Sequence, residues 1–332
     1  MRVLAADVGG TKTLLSLHEV DEEGFQRELR TGRYASADFP AFADLLGVFL
    51  GDDLDSVTHA GIGVAGPVSV DADGGESAIT TNLPWHIDAR LLERTLHMER
   101  VRLVNDFHAV ALGIPRLAPE DFAVLQPGIV DPTGPIAILG AGTGLGEAIV
   151  LPVAGQWRVI ESEGGHCDFA PRNELEIALL RYMLERHERV SYERVVSGPA
   201  LLSLYRFILH QGLAVERADT HSRMSHEDPS AVIGERALAG DDEACVRAVD
   251  LFLSLFGAEA GNLALKVLPK GGLYLAGGVA PRLLPKLREG GFLGAFNAKG
   301  RMSPLLEATR VSVVMNTRVG LIGALHAAMS RG

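Results

Sequence analysis

A glycine pair lodged between two apolar runs restricts this chain more than any other feature. In residues 3–17, VLAADVGGTKTLLSL, the first run reaches Asp7, the turn Gly9, Gly10, Thr11 and Lys12 follows, and a second run of alternating character begins at Leu14. That pattern predicts strand, tight turn, strand. Adjacent glycines let the backbone approach a ligand and aim N–H groups at an anion, and the Thr11 hydroxyl and Lys12 ammonium add donors. A carboxylate beside such a turn would be repelled by bare phosphate, so Asp7 predicts a magnesium ion between them. An ordinary Gly-Gly hairpin fits the same residues.

Residues 136–151 repeat the design. IAILGAGTGLGEAIVL is again strand, glycine-rich turn and strand, with Gly140, Gly142, Thr143, Gly144 and Gly146 standing where Asp7, Gly9, Gly10 and Thr11 stand in the first copy. One such turn is weak evidence. Two, each opening one half of the chain, predict a duplicated fold whose halves each offer a turn to the same polyphosphate. Neither is a Walker A loop, since no Gly-Lys-Ser/Thr ends it, and neither is a Rossmann fingerprint, because a strand follows the turn. A chain of 332 residues with 47% apolar content can bury a large core in two lobes. The boundary is placed in residues 115–128, which read as a linker holding a short strand.

Between and beyond these hairpins, residues 21–24 read as a turn, and 38–50 as an amphipathic helix started by Asp38 and Pro40. The strand at 57–64 runs into Gly61, Gly63, Ala65, Gly66 and Pro67, a glycine density that marks backbone packed closely or turned sharply. Thr81, Asn82, Leu83, Pro84 and Trp85 form a Pro-constrained loop. A buried strand at 101–104 ends at Asn105 and Asp106 with a helix at 107–113 behind it, where open α/β sheets bind ligands; Asp106 as a plain helix cap is the alternative. Residues 161–169, ESEGGHCDF, crowd carboxylates and a histidine around Gly164 and Gly165. Glu163, His166 and Cys167 could hold zinc, but a closed site needs about four ligands. A pocket accepting hydrogen bonds from vicinal sugar hydroxyls fits better, with a solvated acidic loop as the bland reading.

A helix is expected at 174–188 with Leu175, Leu179, Tyr182 and Met183 on one face. Another runs through His210, capped by Ser197 with Pro199 in its first turn. Residues 211–228 are polar and irregular and read as flexible. After Asp242, Val246, Val249, Leu253, Phe256, Ala260, Leu263 and Val267 step by three and four, a core seam against a sheet with an oligomer interface as the alternative, and Gly257 and Gly261 would allow close approach. A strand at 273–276 meets a third glycine turn, Gly277 and Gly278, which could lie flat against an adenine or ribose, and Pro281 opens the next helix. A strand at 311–315 and a small-residue helix at 319–329 close the chain.

A net charge of −11 argues against a nucleic-acid partner. No uncharged apolar stretch of about 18 residues occurs, so no membrane span is expected. Only Met1 and Arg2 precede the first strand and Asp7 interrupts its apolar run, which does not resemble a signal peptide; the expected location is the cytoplasm. Two cysteines, Cys167 and Cys245, are too few for a disulfide framework and read as reduced thiols.

Taken in order, these motifs resemble the bacterial glucokinases, in the superfamily of sugar kinases, actin and the heat-shock chaperone ATPases. The residues that carry the resemblance are Asp7 to Thr11, Gly61 to Ala65, Thr81 and Asn82 with Trp85, Asn105 to Phe107, Gly140 to Gly146, Glu163 to His166, Glu193 to Val195 with Ser197 and Gly198, and Ala276 to Gly278. The resemblance implies an α/β, two-lobed, actin-like ATPase (ribonuclease H-like) fold with a cleft between a small domain, 1–115 plus 317–332, and a large domain, 116–316. It implies that Asn105, Asp106, Glu163, His166 and Glu193 hold glucose, with Asp106 the base. Asp7, Gly9, Gly10 and Thr11, and Gly142, Thr143 and Gly144, would carry the ATP phosphates, Gly277 and Gly278 would adjoin the adenosine, and Asp7 would place Mg2+ through water. It further implies a homodimer. Lys12 departs from the family's usual asparagine and is more typical of a related repressor and kinase group, whose cysteine-rich zinc motif is absent here. Other hexoses, N-acetylhexosamines, or a sugar-sensing regulator on the same scaffold are the competing functions; the regulator would need a DNA-binding helix-turn-helix ahead of the first strand.

Overall fold

Arg2–Val8 and Lys12–Val20, each buried along most of its length, pair as an antiparallel hairpin, with Asp7 opposite Leu14 and Val8 opposite Thr13. The computed structural model describes residues 1–21, 23, 25–80 and 83–330. The loop residues Thr81 and Asn82, and two positions of the turn expected at 21–24, therefore lie outside the described residues. The chain divides into two compact units: Met1–Ala118 with Trp157–Val159 and Asn316–Gly332, and Pro119–Gln156 with Ile160–Met315.

The first unit is built on a five-stranded sheet in the order Gln26–Ala35, Lys12–Val20, Arg2–Val8, Val57–Val64, Arg100–Asn105. The last three strands are parallel, so Asp7, Val64 and Asn105 reach the same carboxyl-terminal edge. One face carries the helix Phe42–Leu50, whose Phe42, Leu45, Leu46 and Phe49 pack on Leu4, Ala6, Leu15 and Leu17. This helix starts later than its sequence suggests. Asp38 ends a short 3-10 turn, and Asp44 Oδ2 accepts the Ala41 N–H at 3.1 Å to form the helix start. The other face carries the C-terminal helix Val319–Met329, which meets Asp106–Gly113 backbone to backbone. Any Cβ at Gly61 would overlap the Ala324 carbonyl, and any at Gly323 would overlap that of Ala109.

The second unit repeats the plan. Ile136–Ala141 pairs antiparallel with Leu145–Val153 and parallel with Gly272–Ala276, as Arg2–Val8 pairs with Lys12–Val20 and Val57–Val64. Its sheet has six strands in the order Gln156–Ser162, Leu145–Val153, Ile136–Ala141, Gly272–Ala276, Val311–Val314, Phe122–Gln126. The helix Glu243–Val267, capped by the Asp242 carboxylate on the Cys245 N–H at 3.1 Å, buries Val249, Leu253, Phe256, Ala260 and Leu263 as expected. It packs chiefly between Gly198–His210, Pro229–Ala239 and Gly291–Asn297, so the seam is more helical than sheet-bound. Its length and composition would suit a membrane span, and its residues are mostly buried in this core.

Four further expectations change. The helix Glu174–Leu184 exposes Leu175 and buries Glu176, which Arg172 and the Asn173 side chain hold. Residues 211–228 include the helix Ala218–Met224, pinned by Thr220 Oγ1 donating to Asp242 at 2.6 Å and by the Arg236–Asp219 ion pair. Ser197 occupies a cap position without a side-chain bond, and Pro281 falls inside the helix Val279–Arg282 instead of opening it.

Candidate active site

In the first unit the turn after Arg2–Val8 closes through the Gly9 N–H on the Lys12 carbonyl at 3.0 Å. A residue the sequence did not single out braces it. Ser36, fully buried, donates its N–H to Thr11 O at 3.0 Å and its hydroxyl to Gly9 O at 3.0 Å. Thr11 and Lys12 are left exposed, available to a ligand.

Asn105 and Asp106 sit where Arg100–Asn105 passes into the helix Asp106–Gly113. The cap is Asn105: its Oδ1 accepts the Phe107 N–H at 2.9 Å, and its Nδ2 donates to Gly66 O at 3.1 Å. Its other amide hydrogen faces the Asp106 carboxylate. Asp106 takes the first helical position, its Oδ1 accepting from Phe107 N at 2.8 Å. Burial raises its carboxyl above the usual range, and hydrogen bonds from the Phe107 N–H and the Asn105 side chain pull it back. Asp7 is pushed up to about 6, first by burial and then by the charge of Asp106.

Asp7 also lies against the start of Val319–Met329, where a Cβ at Gly320 would stand 3.0 Å from Oδ2. The residues fit a magnesium ion. A buried carboxylate whose proton affinity is raised by a second one nearby gains from a cation, and Mg2+ is commonly held by one or two carboxylates plus substrate phosphates. Among the described residues no group of three or more His, Cys, Asp or Glu offers a fuller protein cage.

In the second unit Gly142, Thr143, Gly198 and Gly278 line a cavity of about 770 Å³, with Asp228, Ser230, Glu235 and Arg282 as its polar side chains. The turn is tied down by Gly142 N donating to Gly144 O at 2.9 Å and Gly198 N to Gly142 O at 2.7 Å. Two helices, Gly198–His210 and Pro229–Ala239, begin at this cavity and present the N-terminal ends that favour anions. Gly277 has φ of +79°, and a Cβ there would come 2.5 Å from Ala141 O, so it shapes the turn, while Gly278 opens onto the cavity. Asp228, Ser230, Glu235 and Arg282 escaped sequence reasoning. Only Asp228-Pro229 left a signal, an N-cap followed by proline.

The same unit brings Glu163, His166 and Glu193 together. His166 stands 3.7 Å from Glu163 and 3.9 Å from Glu193. Glu193 Oε2 accepts the Leu145 N–H at 3.1 Å, and a Cβ at Gly144 would come 2.5 Å from it. One carboxylate thus ties the 142–144 turn to the imidazole. The cluster remains open, with the Glu163 side chain 91% exposed. Three acceptors so placed suit the vicinal hydroxyls of a sugar.

The glucokinase family model matches residues 4–331. A glucokinase of Nostoc sp. (strain PCC 7120 / SAG 25.82 / UTEX 2576) is 43% identical over 337 residues, spanning 97% of this chain and 97% of its own. A solved glucokinase from an Antarctic psychrotroph superposes with a TM-score of 0.83 at 29% identity, covering 99% of this chain and 98% of its own. A ROK family glucokinase from Streptomyces griseus, solved in complex with glucose and AMPPNP, gives a TM-score of 0.63 at 22% identity and 99% coverage of both chains, a likeness of fold. These matches show the two-lobed ATPase fold of the sugar kinases.

Proposed function

The chain belongs to the glucokinase family of ATP-dependent hexose kinases, and on that premise we propose that it transfers the γ-phosphoryl group of ATP to the 6-hydroxyl of D-glucose, giving glucose 6-phosphate at the entry to glycolysis. The observation that carries this reading is the Glu193 carboxylate, shared between the turn at 142–144 and the hydroxyl-accepting cluster of His166 and Glu163. A glycine turn suited to phosphate and a set of acceptors suited to a sugar are joined through one carboxylate.

Phosphoryl transfer passes through a loose transition state, so positioning and charge neutralisation dominate. Asp106 accepts the 6-hydroxyl proton late in the transfer, and Asn105, oriented by its cap, holds the neighbouring hydroxyl. Glu163, His166 and Glu193 bind the remaining hydroxyls. Gly9, Gly10 and Thr11 in the first unit, and Gly142, Thr143 and Gly144 in the second, donate N–H groups to the phosphates. Gly278 adjoins the adenosine in the cavity described above, and Gly277 shapes the turn that presents it. Asp7 would help hold Mg2+, which would supply charge neutralisation on the phosphates.

The small domain of 1–115 plus 317–332 and the large domain of 116–316 belong to this proposal, supported by the two compact units. Mg2+ as the metal, the cytoplasm as the location and a homodimer as the assembly rest on the resemblance.

The test is a coupled assay of the purified protein with ATP against glucose, fructose, mannose and N-acetylglucosamine. Glucose is expected to give the highest kcat/KM. Preference for another of these sugars would move the assignment within the hexose kinases, and ADP formation with none of them would remove it.

A further inference from the structure

Beneath the turn Gly164–His166 lie two buried carboxyls that the mechanism above does not use. Glu147, on Leu145–Val153, is 3% exposed, and Glu259, on Glu243–Val267, is 1% exposed. Glu147 Oε2 packs so tightly on Gly164 that any Cβ there would overlap it. Glu259 Oε2 accepts from Asn262 Nδ2 at 2.8 Å. The remaining oxygen of each, Oε1, is buried with no partner. Two carboxylates are acceptors only, so neither can satisfy the other, whereas one proton held between them fills both vacancies.

The surroundings agree. Burial, then the neighbouring charge of Glu259, pushes Glu147 up to about 8, and burial raises Glu259 as well. The single negative charge left on the pair is faced by Lys266 on the same helix and by Lys299, whose ammonium donates to Ala258 O at 2.9 Å and Asn262 Oδ1 at 2.5 Å. Asn262 Nδ2 also donates to the Tyr192 hydroxyl at 3.1 Å, and Arg172 faces both Tyr192 and Lys299. This network therefore underlies two turns at once: Gly164–His166, flanked by Glu163, and Tyr192–Arg194, which contains Glu193.

We propose that Glu147 and Glu259 share one proton and act as a positioning pair, setting the two turns whose Glu163, His166 and Glu193 receive the sugar hydroxyls. The inference rests on the hexose reading of those three residues. Loss of the shared proton would leave two like charges under Gly164 and shift the turn, weakening sugar binding while leaving the nucleotide cavity as it was.

Glucose KM, ATP KM and kcat measured from pH 7 to 9.5 in wild type, Glu147→Gln and Glu259→Gln test the pair. Glutamine keeps the size and supplies a permanent N–H. Wild-type glucose KM is expected to rise above pH 8 by up to about tenfold per pH unit with ATP KM steady, while both variants keep a pH-7 glucose KM within about threefold of wild type and stay flat. Parallel profiles in wild type and variants, no rise in wild type, an equal rise in ATP KM, or failure of both variants to fold would each overturn the pair. Melting temperature offers a readout that needs no turnover. A carboxyl raised in the folded state contributes stability that is full below about pH 4.5 and is lost as pH climbs toward 8, so wild type should lose stability relative to Glu147→Gln between pH 5 and 8. A wild-type protein that phosphorylates no hexose yet shows this melting difference would sink the hexose reading and with it the positioning role, leaving the shared proton standing.

Discussion

Asp106 stands first in the helix Asp106–Gly113, with Asn105 in the capping position. Replacing its carboxylate by an amide keeps an acceptor for the Phe107 N–H and removes the basicity. Asp106→Asn is therefore expected to hold glucose KM within about threefold while kcat falls by about 10²–10⁴. Near-normal kcat in steady-state kinetics would take the base role from this residue. The sequence marks the Asn105-Asp106 pair, but both types are favoured caps, and only the coordinates divide the roles between them. Gly277 and Gly278 teach the same point. Side by side they are indistinguishable in the sequence, yet one meets a backbone requirement at positive φ and the other opens onto a cavity.

The C-terminal helix Val319–Met329 shows what an element adds. Its small residues advertise close packing, and its glycine contacts with Asp106–Gly113 fulfil it. The sequence hides its polar tether, His326, whose Nε2 accepts from Arg116 Nη2 at 2.7 Å. Burial and then the Arg116 charge lower the imidazole from 6.5 to about 4. The unfolded chain therefore takes up this proton first, so the group's contribution is full above about pH 6.5 and is lost as pH falls toward 4. Between pH 7 and 5 wild type should lose on the order of 2 °C more in Tm than His326→Gln, which keeps an acceptor. Equal slopes in thermal melts would dismiss the tether. Glu176 is a parallel case: a buried carboxylate whose Arg172 partner no hydropathy period can report. Ala218–Met224 is another, since its anchors at Asp242 and Arg236 are distant in sequence.

At the scale of the whole molecule, duplication is the most legible feature, because two hairpins of the same pattern recur as two sheets with the same antiparallel and parallel neighbours. The cavity lined by Gly142, Thr143 and Gly278 was less legible, as its polar side chains come from two helices spread over residues 228–282. Each unit's proposed phosphate turn is built from its own residues, so each can be examined separately by hydrogen exchange with the non-hydrolysable analogue AMPPNP. A ligand present at about 100 times its Kd stabilises the binding state by about 2.7 kcal/mol, roughly a hundredfold slowing for amides whose opening releases it. Peptides covering 142–144, 197–201, 228–238 and 278–283 are expected to slow by up to that factor, and those covering 9–12 to slow as well. Protection restricted to the second unit would strip Gly9, Gly10 and Thr11 of their phosphate role while leaving the cavity's assignment in place. Protection restricted to the first would do the opposite, because a nucleotide that leaves Gly142, Thr143 and Gly278 exchanging freely does not occupy the space they line.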